Sequence, residues 1–68
     1  MKNYVAAYRT MFHIKQSELA EMIDVAPSTL SFKETGKREW TGSEMVRICD
    51  IFKKHKPDIR IEDIFFNQ

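Results

Sequence analysis

The sequence predicts an all-α protein: a compact bundle of four to five short helices, folded as a single domain over residues 1–68. Three observations predict it. Apolar residues recur three and four apart rather than in alternation. The breakers Pro27, Gly36, Gly42 and Pro57 cut the chain into helix-sized segments. The only alternating stretch, Ile59 to Ile61, is too short for a good strand. A chain of 68 residues buries a modest share of its surface, so one core needs nearly every apolar side chain.

Each element has its own signal. Val5, Tyr8 and Phe12 share one face of a first helix, with Asn3 as its N-cap. Leu19, Ala20 and Ile23 form the inner face of a second helix that begins near Gln16. Asp24 and Val25 make a sharp turn. Pro27 suits the first position of a third helix, where a missing N–H costs nothing. That helix runs to about Thr35 and stops at Gly36, which takes the left-handed conformation readily. Thr41-Gly42-Ser43-Glu44 matches a capping box at the start of a fourth helix. Met45, Ile48, Cys49 and Phe52 line its inner face, and it ends near Lys54. The basic run Lys53, Lys54, His55 and Lys56 complements the negative end of its dipole, and Pro57 blocks continuation. Ile61 to Phe65 reads as a short fifth helix. Trp40 fits the core over helices three and four.

Composition narrows the function. The net charge is +1, which neither announces nor excludes a nucleic-acid binder. Its distribution is uneven: Lys2, Arg9 and Lys15 stand without acids in residues 1–16, and Lys33, Lys37 and Arg38 outnumber Glu34. Acids gather at Glu18, Glu21 and Asp24, and again at Glu62 and Asp63. Cys49 is the single cysteine, so no intramolecular disulfide forms, and on its helix face it reads as inert packing. His13 and His55 have no ligand partners at useful spacing, and no metal or other cofactor is expected. There is no signal sequence and no long apolar run, which points to a cytoplasmic protein without membrane contact. No nucleophile–base pair and no phosphate-cradling glycine loop occurs, so neither an enzyme nor a small-molecule substrate is expected.

Residues 16–38 remain: two short helices joined by a tight turn. In a helix-turn-helix the second helix enters the DNA major groove while the first crosses the backbone. Such a unit needs a small residue at the helix crossing, met by Ala20. It also needs apolar residues to fix the interhelix angle, met by Leu19, Ile23, Val25 and Leu30. Arg9, Gln16-Ser17-Glu18-Leu19-Ala20-Glu21, Val25, Ser28-Thr29-Leu30-Ser31 and Lys33-Glu34-Thr35-Gly36-Lys37-Arg38, with Glu62-Asp63-Ile64-Phe65 at the end, together resemble the Cro/repressor-type (XRE-like) helix-turn-helix family of phage and bacterial transcription regulators. The resemblance spans roughly residues 5 to 66. It implies a lambda-repressor-like bundle acting as a homodimer on a partly palindromic, double-stranded operator.

The resemblance also assigns positions. Pro27, Ser28, Ser31 and Phe32 stand where the family presents side chains to base edges. Gln16 stands where a side chain contacts phosphate or braces the reading helix. Lys33, Thr35, Lys37 and Arg38 fall where phosphate contacts are expected, and Thr41 and Ser43 add to them. Two positions depart from the family pattern: Asp24 replaces the frequent glycine, and Ala26 replaces a capping Ser or Thr, a loss of ~1 kcal/mol. The reading helix also lacks Arg, Gln and Asn on its reading face, the usual sources of bidentate base contacts. Phe32 has two readings, a groove-facing contact to a thymine methyl or a core residue beside Leu30. Ile64, Phe65 and Phe66 likewise either complete the core or form a dimer or partner seam. A stand-alone phage regulator matches the length, as does a fragment of a longer repressor. The rival function is an antirepressor that grips a partner repressor protein, favoured by the near-neutral charge and by Phe32.

Overall fold

A computed structural model describes residues 3–66, except the side chain of Phe66. Four α-helices are followed by a closing turn: α1 (Val5–Met11), α2 (Gln16–Met22), α3 (Pro27–Glu34), α4 (Gly42–Lys53) and a π-helical turn, Glu62–Phe66. The described residues contain no strand. The α2 helix packs on α3, while α1 packs on α4 and on the closing turn.

Local chemistry explains the boundaries. Tyr4 is the residue flanking α1, and Asn3 caps from one position earlier, its Oδ1 accepting the Val5 N–H at 3.0 Å. The Tyr4 N–H donates to the Ile64 carbonyl at 2.8 Å, joining the start of the bundle to its end. At α2, the Lys15 N–H donates to the Glu18 carboxylate at 2.8 Å. The capping box at α4 is complete: Thr41 Oγ1 accepts the Glu44 N–H at 3.2 Å, and Glu44 Oε1 accepts the Thr41 N–H at 2.9 Å. No side chain caps α3, where Ala26 precedes Pro27.

The first three helices end in the same way. Two N–H groups beyond each helix turn back to carbonyls of its last turn, a Schellman arrangement around one left-handed residue. For α2 the bonds are Val25 N–H to Ala20 and Asp24 N–H to Glu21, at 3.0 and 3.2 Å. For α3 they are Lys37 N–H to Phe32 and Gly36 N–H to Lys33, at 2.9 and 3.3 Å. The left-handed residues are His13 (φ 60°), Asp24 (φ 61°) and Gly36 (φ 86°). Only Gly36 holds that conformation without steric cost.

The core draws on every element. Val5, Leu19, Leu30, Ile48, Phe52 and Ile64 are wholly buried, and Ala20 lies at the α2–α3 crossing with 1% exposure. Tyr8 and Phe12 stack at 5.9 Å, and Phe12 meets Phe52 edge-on at 5.3 Å. His55 is exposed yet stacks on Phe12 at 4.9 Å, so it covers the aromatic cluster from outside. Cys49 is buried as packing, and burial pushes its thiol pKa up despite nearby Lys53.

The seam expected at the end of the chain is corrected. Ile64 is wholly buried and Phe65 is 1% exposed, with Phe65 edge-on to Trp40 at 5.4 Å. Both complete the core, because the closing turn folds back onto α1 and against Trp40. They are not free to line a dimer or partner surface. The expectation for the Phe66 side chain lies outside the described residues.

Candidate nucleic-acid interface

The third helix has one buried and one open side. Leu30 and Lys33 point inward, whereas Pro27, Ser28 and Phe32 are exposed and Ser31 is half-buried. Phe32 keeps 45% of its surface exposed, so its core reading does not hold. Beyond Gly36, the Lys37 and Arg38 N–H groups both donate to the Phe32 carbonyl, at 2.9 and 3.2 Å. This fold-back sets Lys37 Nζ 6.0 Å from the Phe32 ring centroid. Lys37 and Arg38 are both exposed. The Thr35 hydroxyl donates back to the Ser31 and Phe32 carbonyls at 3.1 and 3.2 Å.

Lys33 is the second correction. Its side chain is 7% exposed and lies inside the molecule. Nζ donates to the Glu39 carbonyl and to Glu44 Oε1, both at 2.9 Å, and sits 5.6 Å from the Trp40 ring centroid. These partners replace the water that a buried ammonium loses. A phosphate contact from Lys33 would forfeit them, so the residue fastens the end of α3 to the start of α4. Partial burial pushes the Glu44 carboxyl upward, but the Thr41 N–H, the Lys33 hydrogen bond and the Lys33 charge outweigh it. Glu44 therefore lies below its ordinary value of 4.5.

Gln16 braces α3. Its Nε2 donates to Glu34 Oε1 at 2.9 Å. The same carboxylate receives Arg9 Nε at 2.7 Å, while Arg9 Nη1 donates to the Ile14 carbonyl at 3.0 Å. The Glu34 side chain is 4% exposed and that of Arg9 15%. One buried carboxylate thus ties α1, the start of α2 and the end of α3 together. Sequence reasoning quoted Arg9 and Glu34 without giving either a role. No local signal pointed to the tie, since the partners lie 25 residues apart in the chain.

Thr41 and Ser43 are exposed at the start of α4, their hydroxyls 3.3 Å apart. Because Lys33 joins the end of α3 to this helix start, they lie toward the same end as Lys37 and Arg38. The opposite rim is acidic: Glu18, Glu21 and Asp24 are exposed and border a groove that reaches Pro27.

The whole geometry is that of a helix-turn-helix with α3 presented outward. The helix-turn-helix family model HTH_3 matches residues 5–59, most of the chain. The chain belongs to the Cro/repressor-type helix-turn-helix family. A search of curated proteins found no significant match. Family membership makes this helix-turn-helix chain a DNA-binding transcription regulator, in a family that is not enzymatic. None of the described helices is long and apolar enough to cross a membrane.

Proposed function

We propose that this chain is a phage Cro-like, sequence-specific regulator that reads the major groove with the outer face of α3. The observation that supports this most is the exposed Phe32, flanked by Ser28 and Ser31 and followed by Lys37 and Arg38. Phe32 packs against a thymine methyl, and the two serines hydrogen-bond base edges with little discrimination. Pro27 sets the approach of the helix start. Lys37 and Arg38 contact phosphates, and Thr41 and Ser43 add hydroxyl contacts; Thr35 joins them by turning its one O–H from the Ser31 and Phe32 carbonyls to a phosphate oxygen. Gln16 serves two ends: its amide has two donor hydrogens, so one can stay on Glu34 while the other meets phosphate. With so few bidentate groups, part of the specificity comes from DNA shape.

The regulator acts in the cytoplasm, as one domain, and as a homodimer that occludes its operator. Half-sites one helical turn apart need reading helices about 34 Å apart. The Cα envelope of one copy measures 29 × 23 × 20 Å, which suits two copies side by side.

A titration with DNA flanking the chain's own gene, at low and physiological salt, tests this reading. Site-specific binding that weakens with salt is the expected result. The Lys37→Ala/Arg38→Ala double variant lowers the slope of log affinity against log salt by about 2. An unchanged slope removes both residues from the phosphate contacts.

A second reading is kept because Phe32 is exposed on a face without Arg, Gln or Asn. It is an antirepressor whose α3 face binds a partner repressor. Absence of DNA binding from folded protein at both salt concentrations favours it.

A further inference from the structure

One groove on the surface is chemically matched to itself. Val46 is 53% exposed on α4, and Ile61 stands half-buried beside it, with Cys49 beneath. Together they floor a shallow groove of about 340 Å³ between α4 and the segment before the closing turn. Its rim carries two acids, Asp50 and Glu62, and two bases, Lys53 and Arg60. None of these four side chains has an ion-pair partner among the described residues. Val46, Asp50 and Lys53 fall at i, i+4 and i+7, so they form one stripe of α4.

A twofold contact uses the same patch on both copies, so every group must find its complement within that patch. An apolar floor with both charge signs at its rim meets this condition. Two other grooves among the described residues do not. The one beside α2 and Pro27 is bordered by Glu18, Glu21 and Asp24, which repel their own copies. The one along α1, beside Tyr4 and Met11, has Asp63 as its only charged residue.

We propose that the groove floored by Val46 and Ile61 is the seam on which a second copy of this chain docks, with Asp50 of each copy meeting Lys53 of the other. This rests on the dimeric reading above and names its face, replacing the seam excluded by the burial of Ile64 and Phe65. The patch is small, so the free dimer is weak and tightens when DNA holds two copies together.

Sedimentation equilibrium of the full chain from micromolar to millimolar concentration tests the seam, with circular dichroism as the check on folding. The wild type self-associates to dimers. Asp50→Lys alone and Lys53→Asp alone each weaken self-association at least ~10-fold, because like charges then face one another. An equimolar mixture of the two variants restores dimers, since one copy then presents bases and the other acids. Folded single variants that dimerise like the wild type, or a mixture that stays monomeric, overturn the seam alone. A wild type that stays monomeric at millimolar concentration overturns both the seam and the free dimer, while DNA binding by one copy is still read by the salt titration.

Discussion

At the scale of single residues, Glu34 does more than any exposed side chain. Its carboxylate accepts from Arg9 and Gln16 at 2.7 and 2.9 Å and so sets where α3 sits. Lys33 and Glu44 make the second internal tie, at 2.9 Å. Because the folded pKa of Glu44 is lowered, its charge adds stability that is fully present above its ordinary value of 4.5. That contribution is lost as pH falls through the lowered folded value. Urea unfolding of wild type and Glu44→Gln at several pH values checks it. The stability gap between them is largest near neutral pH and shrinks on acidification. Asp24 gives a simpler prediction. It holds φ 61° where glycine does so without clash, so Asp24→Gly raises stability by about 0.5–1 kcal/mol, read from the urea midpoint. An unchanged or lower midpoint means that the aspartate relieves its own strain.

At the scale of elements, most of the bundle was legible because each boundary has a short-range cause. The Thr41–Glu44 box, Pro27 at the start of α3 and Gly36 after its end are all local signals, and the helices begin and stop there. Side-chain direction was less legible. Lys33 lies three residues after Leu30 and therefore on the inner face, but its charge suggested the surface, and its partner Glu44 is supplied by another helix. Phe32 faced the opposite ambiguity: an aromatic side chain suggests a core, while its position one turn after Ser28 places it outside. Ile64 and Phe65 had no local signal at all, since an apolar pair near a terminus serves a core or a seam equally well. The packing of α2 on α3 gives a direct test. Leu19 is wholly buried, so Leu19→Ala lowers stability by ~2–5 kcal/mol, read by chemical denaturation. A loss below ~1 kcal/mol means that this face of α2 does not carry the contact.

At the scale of the whole molecule, a net charge of +1 conceals a division of labour. Basic Lys37 and Arg38 flank the exposed end of α3, while Glu18, Glu21 and Asp24 border the other side of the turn. On the proposed reading, the acids weaken indiscriminate attraction to DNA, so that binding leans on the fit of the α3 face rather than on bulk charge. The most direct measurement of this account is a map of backbone amide shifts by nuclear magnetic resonance as duplex DNA is added. The predicted result is that the largest changes fall on Ser28, Ser31, Phe32, Lys37, Arg38, Thr41 and Ser43. Changes confined to other surfaces of the folded protein, with the amides of α3 unmoved, would contradict it.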